Sequence, residues 1–168
     1  MLRLAAGPLH ICKVKYLSSM QSIFESAAKK EILKRIDLLT PQSQRKWGKM
    51  NVAQMLAHCA NGMELATGKI KPPRELIGKI IGWMFKSSYS SKRKFPKNVQ
   101  TIKGGAVVDE RDFELEKKRL ISAIEEMHAG GEKICTDHPH PIMGKFSPEE
   151  WGKGMYKHLD HHLRQFGV

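Results

Sequence analysis

Near its C-terminus the chain reads Lys157-His158-Leu159-Asp160-His161-His162-Leu163-Arg164-Gln165. On an α-helix His158 and His162 project from one face on successive turns, because residues four apart are neighbours. That spacing lets two imidazole nitrogens bind a single metal ion, although two ligands alone hold a metal weakly. The stretch therefore predicts a long last helix and part of a metal site.

The start of this helix is marked by Ser147-Pro148-Glu149-Glu150. It combines a capping hydroxyl, a proline at the first helical position and a glutamate at the third. The stripe that follows at three- and four-residue steps comprises Trp151, Met155, His158, Leu159, His162 and Phe166. Both histidines thus lie in the core-facing seam, where imidazole nitrogens need a partner. A metal ion would satisfy them, whereas a purely apolar core would not.

A third ligand is expected from another helix, and the best candidate is His58. This second helix is predicted from Asn51, with Gln54 as the reciprocal cap, to about Ala66. His58 lies three residues after Met55, on the flank of an apolar stripe. A lone histidine in such a place is more often a hydrogen-bonded core residue than a ligand, so His58 gains weight only together with the C-terminal pair.

Two further long helices are predicted from apolar residues at helical spacing. The first runs from Ser22, which forms a capping box with Glu25, to about Leu38. Its apolar series is Ile23, Ala27, Ile32, Leu33, Ile36 and Leu39. The other opens at Asp109 or Asp112 and ends at Gly130. Its apolar series is Phe113, Leu115, Leu120, Ile121, Ile124 and Met127.

The connection between the second and third long helices spans about forty residues, and a short helix from Arg74 to Phe85 is predicted inside it. Its dense apolar residues suit packing over one end of a helical bundle. The alternative is a membrane-surface or partner-binding role, since isoleucine, tryptophan and phenylalanine flanked by lysines also suit an interface.

Composition limits the classes of protein that the chain can belong to. A chain of 168 residues with 40% hydrophobic content is long enough for one compact domain. The net charge of +12 raises the question of an acidic partner such as nucleic acid or a membrane surface. Much of this charge falls in predicted loops without an aromatic ladder or a recognition-helix signature, so nucleic-acid binding is not expected.

The cysteines indicate a reducing compartment. Cys12, Cys59 and Cys135 are odd in number and widely separated, which argues against a disulfide framework and for a cytoplasmic protein. Cys59 follows His58 directly, but adjacent helical residues point about 100° apart, so both are not expected to bind one metal. A small buried thiol is the more frequent role for such a residue.

The first 21 residues are predicted to be an N-terminal extension, and residues 22–168 the helical domain. The apolar run at the N-terminus is too short and too broken, at Gly7 and Pro8, for a transmembrane span or a good signal peptide. Two interpretations stay open: a weak mitochondrial-type presequence, or an extension upstream of a start at Met20.

Other polar residues near the predicted site are assigned outer positions. His161 lies about 100° from His162, and Asp160 could orient a ligand imidazole without binding the metal. His138 and His140 each precede a proline, in a turn that either reaches the mouth of the site or only makes surface hydrogen bonds.

These motifs together resemble the DinB-like, YfiT-type superfamily of metal-dependent enzymes. The resemblance rests on the histidine in the middle of the second helix, the HxxHH-like motif of the last helix, and the run His140-Pro141-Ile142-Met143-Gly144-Lys145. The C-terminal part is similar to an uncharacterised bacterial branch. The resemblance covers residues 22–166.

The resemblance implies an all-α fold, a four-helix bundle with a long crossover between helices two and three and one extra short helix. It also implies a nickel or zinc ion bound by His58, His158 and His162, and an activity among thiol-dependent transferases and hydrolases. The first nineteen residues have no counterpart in the family, and the helix from Arg74 is expected to cover the site differently.

The chemistry of three imidazoles agrees with an enzyme. Three neutral histidines leave at least one position open on a divalent ion, where a bound water has its pKa lowered toward 7 or a thiolate is stabilised. We therefore expect hydrolysis of a small molecule, or transfer of a low-molecular-weight thiol. No general base is assigned, because Glu64 is poorly phased with His58, while Glu150 and Asp160 are only possible neighbours.

The alternative function is a non-catalytic helical binding or stress-related module, with a structural metal or a partner on the basic surface. A homodimer is possible in either case, since bundles of this size with Trp83 or Trp151 near the surface often pair.

Overall fold

The computed structural model describes residues 20–89, 91–98 and 107–168. Five α-helices span Ser26–Asp37 (α1), Val52–Ala66 (α2), Leu76–Tyr89 (α3), Phe113–Gly130 (α4) and Pro148–Gln165 (α5). A single turn of 3-10 helix, Gly131–Ile134, follows α4. The described residues contain no strand, only an isolated bridge between His140 and Gly144. The prediction of an all-α fold is confirmed for this part of the chain.

The starts of α2 and α5 agree with the sequence prediction. Asn51 and Gln54 form the reciprocal capping box of α2, and Ser147 and Glu150 form that of α5, with Pro148 at the first turn. Each box satisfies backbone N–H groups that have no partner inside the helix. These caps set where each helix begins and so which of its faces is turned inward.

The start of α1 was predicted wrongly. The helix begins at Ser26, and the Ser22 hydroxyl accepts from the Phe24 N–H instead of capping a turn with Glu25. Ile23 N–H donates to the Gly152 carbonyl of α5, 3.0 Å away. This contact with another helix holds residues 22–25 in a turn. Ala27, which was predicted in the apolar series, is exposed, and Ala28 faces the core instead.

Two other helices depart in part from the prediction. Asp112, one of the two predicted starts of α4, caps the helix by accepting from the Leu115 N–H. The Leu115 side chain, which was predicted in the apolar series, is exposed. The helix predicted from Arg74 to Phe85 is displaced to Leu76–Tyr89, and at 14 residues it is not shorter than α1.

The core lies where α2 meets its neighbours. α2 packs most extensively on α4 and also on α5, while α1 packs on both α4 and α5. The largest side chains with almost no exposed surface are Trp151, Ile23, Ile32, Ile36, Met55, Leu56, Met63, Leu120, Ile124, Met127, Met155 and Leu159. Trp151 is therefore a core residue and not the surface residue that was considered for pairing.

α3 is joined to the rest of the molecule by close backbone contact. A Cβ at Gly78 would lie 2.5 Å from the Ile142 Cα, and one at Gly82 would lie 2.0 Å from the Ile142 carbonyl oxygen. Only glycine allows this approach to the turn at residues 140–144. The inward face of α3 is thus mostly backbone, which leaves its large side chains outside.

Candidate metal centre

α2 carries His58 toward α5. The residue is half-buried, one turn before Gly62 on the same face of the helix. A Cβ at Gly62 would lie only 3.2 Å from the Nδ1 and Cε1 atoms of His158. The glycine therefore leaves space for the imidazole of α5 beside α2, a role that the sequence analysis did not assign to it.

α5 carries the other two histidines on successive turns, as predicted. His162 is buried and His158 is half-buried. Their neighbours Met155, Leu159 and Leu163 are almost fully buried, so the two imidazoles lie at the edge of the core.

The structure brings the three predicted residues together. His58, His158 and His162 each offer a ring nitrogen, and these nitrogens all lie within 4.8 Å of one another. The Nε2 atoms of His58 and His158 are 2.9 Å apart, although the residues are 100 positions apart in sequence. The ring centroids are separated by 4.9, 4.8 and 4.8 Å. Among the described residues this is the group whose spacing could hold a metal ion.

Gln165 fixes which nitrogen His162 presents to the cluster. Its amide Nε2 donates to the Trp47 carbonyl at 2.7 Å, and a carbonyl can only accept. Its Oε1 therefore faces the Nδ1 of His162, 2.9 Å away, so that Nδ1 must donate. The remaining nitrogen of the neutral ring, Nε2, then carries a lone pair.

The environment keeps the imidazoles of α5 neutral. Burial, together with the nearby His58, lowers the pKa of His162 to about 3, against the opposing effect of the Gln165 hydrogen bond. Burial is also the main reason that the pKa of His158 falls well below its ordinary value, with His162 and His58 contributing. Neutral imidazoles have the lone pairs that a metal ion requires.

The Nδ1 atom of His158 is buried and has no hydrogen-bond partner among the described residues. A buried polar nitrogen without a partner costs free energy. This part of the cluster is therefore not explained by packing alone.

The remaining histidines near the site have other contacts. His161 packs edge-on against Trp47, Phe95 and His162 rather than joining the cluster. The Nδ1 of His140 accepts from the N–H groups of Ile142 and Met143.

His138 lies in the same loop as His140. Its Nε2 lies 3.0 Å from the Pro72 carbonyl. Both loop histidines therefore bond to backbone groups, and the two roles predicted for them, at the mouth of the site or in surface hydrogen bonds, stay predictions.

The carboxylates considered as neighbours of the site are engaged elsewhere. Asp160 pairs with Arg35 and Arg164, and its predicted role in orienting an imidazole stays a prediction. The side chain that bonds to the His162 ring is Gln165. Glu64 pairs with Arg119. Glu150 pairs with Lys86 and caps α5.

Lys157 ties α3 to the histidine helix. Its Nζ donates to the carbonyls of Ser88 and Ser91, at 2.5 and 3.0 Å, and lies 4.3 Å from the centroid of the Phe95 ring. Burial lowers the pKa of this amine to about 8. This contact could not be predicted from the sequence, because it depends on where α3 ends.

The cysteines do not join the cluster. Cys59 is buried, its Sγ lies 3.7 Å from the Sδ of Met55, and burial raises the pKa of its thiol. Burial, with a contribution from Glu132, raises the pKa of Cys135 to about 11. Both are free thiols, as predicted for two of the three cysteines. Cys12 lies outside the described residues.

The fold and the site define an all-helical protein with three clustered histidines between two helices. The chain belongs to the DUF1569 family, described as a protein of unknown function, which matches residues 19–167. No curated protein matches the chain. No solved structure matches it either. The wider kinship with DinB-like proteins stays a prediction.

A helix that crosses a membrane has to be both long and apolar. No helix among the described residues is long and apolar enough to cross one.

Proposed function

We propose that this protein is a divalent-metal-dependent enzyme in which His58, His158 and His162 bind one nickel or zinc ion. The observation that carries the proposal is the convergence of three ring nitrogens, from two helices, within 4.8 Å of one another. Histidine is a preferred ligand of such ions, and three histidines are a common ligand set of catalytic zinc.

The distances support this set of ligands. A tetrahedral ion with metal–nitrogen bonds of about 2.0–2.1 Å holds its ligand nitrogens about 3.3 Å apart. The observed separations, from 2.9 Å to no more than 4.8 Å, bracket that value, so small side-chain rotations suffice. The Gln165 hydrogen bond already selects the tautomer of His162 that presents Nε2.

The number of ligands supports catalysis more than a structural role. Structural zinc sites use four protein ligands, whereas three leave a position for water or substrate. The ion would lower the pKa of a bound water, so that its deprotonated form could attack an ester or amide, or it would stabilise a thiolate. Hydrolysis and thiol transfer onto a small electrophile are therefore the two reactions we propose, with a small molecule as substrate and a low-molecular-weight thiol as one candidate.

The same proposal extends to the arrangement of the helices. We propose that α1, α2, α4 and α5 form the four-helix bundle of DinB-like proteins, with α3 inside the long crossover between α2 and α4. The packing of α1 on α4 and α5, and of α2 on the same two helices, supports it. The alternative function, a non-catalytic module with a structural metal, uses the same fold.

The test is metal analysis of the purified chain beside His58→Ala and His162→Ala. We expect about one nickel or zinc ion per wild-type chain and a loss of binding in both variants, because two imidazoles hold such an ion weakly. His138→Ala is the matched control, since this loop histidine lies outside the cluster. Full metal affinity in His58→Ala, or wild-type protein that stays metal-free on titration, would overturn the proposed site.

Activity separates the two functions. Metal-loaded wild type would be assayed on activated esters and on electrophiles with added thiols, with His162→Ala as the negative control. Metal-dependent turnover supports the enzyme. A stoichiometric metal whose removal lowers thermal stability, without turnover of either class, would favour the structural metal.

A further inference from the structure

α3 exposes an unusually apolar surface. Its residues Leu76, Ile77, Ile80, Trp83, Met84 and Phe85, here called the outer face, are between 49% and 76% exposed. They make up most of the large exposed hydrophobic side chains among the described residues. Contiguous exposed apolar surface of this kind marks an interaction site in a folded protein.

The structure explains why these side chains are not drawn into the core. The inward side of α3 is occupied by Gly78, Gly82 and Tyr89, and the two glycines touch the backbone of Ile142 directly. A rotation that buried Ile80 or Trp83 would have to replace this backbone contact with large side chains. The outer face is therefore a fixed feature of the fold.

Positive charge lies along one edge and at both ends of the outer face. Residues 69–98 contain nine lysines and arginines and a single acid, Glu75. This segment therefore carries much of the formal net charge of +12 of the whole chain. Lys79 and Lys86 lie along one edge of the helix, Arg74 precedes it, and Lys92-Arg93-Lys94 follows its end. Lys79, Lys92, Arg93 and Lys94 are exposed and form no ion pair with the described residues.

We propose that the outer face of α3 binds the surface of a bilayer containing anionic lipids. A helix with tryptophan, phenylalanine and isoleucine on one side and lysines along its edge lies in the plane of a membrane interface. Tryptophan prefers the headgroup level, and basic residues nearby are attracted by the negative surface potential. This is association with a surface and is independent of the proposed metal chemistry.

The charge of this segment favours an anionic bilayer over a second copy of the chain as the partner of the outer face. In each segment Lys69 pairs with Glu126 and Lys86 with Glu150, which leaves seven cations and one acid. Two copies joined through α3 would bring two such segments together, and they repel one another. A protein partner fits less well, because lysine, the dominant cation here, is depleted at protein interfaces. An anionic lipid surface matches both the apolar residues and the lysines.

The test is flotation of the full chain with vesicles. We would compare vesicles of phosphatidylcholine with vesicles that also contain about 30% phosphatidylserine, at low salt and at about 0.5 M salt. We expect binding to the anionic vesicles and weakening by salt. No binding to anionic vesicles at low salt would overturn the proposal.

A matched pair of variants assigns the binding to α3. Ile80→Ser/Trp83→Ser removes two apolar side chains from the outer face, whereas Leu38→Ser/Leu115→Ser removes two exposed apolar side chains elsewhere. We expect the first variant to lose about tenfold or more of its partitioning and the second to bind like wild type. Equal binding of both variants would overturn the proposal, because adsorption would then depend on charge alone.

Solution size provides the remaining check. A wild-type dimer that Ile80→Ser/Trp83→Ser converts to a monomer would show that a second copy covers the outer face, and would overturn the proposal. Circular dichroism of both variants checks that the helices stay folded. We expect no change, because all four positions are exposed.

Discussion

Gln165 determines how His162 can act. The amide cannot be reversed without placing its oxygen against the Trp47 carbonyl, so the direction of both hydrogen bonds is fixed. The lone pair of His162 is thereby held on Nε2, on the side of the ring away from Gln165. A partner of this kind typically changes metal affinity by about 10- to 100-fold.

Replacing Gln165 tests this role. Gln165→Leu keeps the approximate volume but leaves His162 free to exchange tautomers, so metal affinity should fall by about 10- to 100-fold. Competition with a chromophoric chelator measures it. Arg164→Leu is the control, because Arg164 pairs with Asp160 on the same helix. Equal affinity in wild type and Gln165→Leu would show that the hydrogen bond does not orient the ligand.

At this scale the sequence predicted the members of the cluster but not the residues that support it. The four-residue spacing of His158 and His162 is a helical property, so it survives folding unchanged. Gln165 stands three residues after His162 and so shares its face, a signal that was present but not used. The pairing of Asp160 with Arg35 could not be predicted, because Arg35 belongs to α1, 125 residues away, and no local pattern reveals such a pair.

Among the helices, α3 shows how a backbone contact can decide the orientation of an element. Gly78 and Gly82 are four residues apart and form one small-residue face against the turn at residues 140–144. Local periodicity favoured burial of the large apolar side chains of this helix. The close approach to Ile142 overrides that preference, because only an α-carbon without a side chain fits there.

Gly82→Ala tests the contact. Alanine favours a helix by about 1 kcal/mol over glycine, yet a methyl group 2.0 Å from the Ile142 carbonyl oxygen forces α3 away. We expect a net loss of about 1–3 kcal/mol in the free energy of unfolding, measured with urea. Ser87→Ala, at an exposed position of α3, is the matched control. A stabilised Gly82→Ala protein would mean that α3 can shift without cost.

Helix boundaries were predictable where the cap is local and were not where it depends on another helix. The boxes at Asn51 and Ser147 involve residues three apart, and both form as predicted. The box expected at Ser22 fails because Ile23 bonds to Gly152 of α5. A Cβ at Gly152 would lie within 2.6 Å of Phe24, so this junction is set by tertiary packing.

For the whole molecule, buried neutral imidazoles make stability depend on pH. Burial lowers the pKa of His140 from 6.5 to about 4. Between these values the unfolded chain binds a proton that the folded chain does not, so the free energy of unfolding falls as the pH falls. The slope approaches about 1.4 kcal/mol per pH unit for this one group.

His140→Asn isolates that contribution. The asparagine oxygen can accept from the N–H groups of Ile142 and Met143, as Nδ1 does, but it does not titrate in this range. Urea unfolding between pH 6 and 4.5, with a chelator present, should show a slope smaller by about 1.4 kcal/mol per pH unit. His138→Asn, in the same loop, is the control. An unchanged slope in His140→Asn would contradict the assignment.

The overall class was readable from the sequence because helical periodicity and caps recur along the chain. Two positions were predicted for the apolar side chains of α3, packed against the bundle or exposed as an interface, because such residues suit both. Three-dimensional packing leaves these side chains exposed, and their role as an interface stays a proposal.

Lys157 has one more consequence. Its ammonium group is bound to the end of α3, and the next residue along the chain is His158. If α3 moved on a bilayer, the Lys157 side chain would either lose these two hydrogen bonds or reorient to keep them. Lys157 thereby bridges the helix that carries the outer face and the helix that carries His158, one residue away from the histidine cluster.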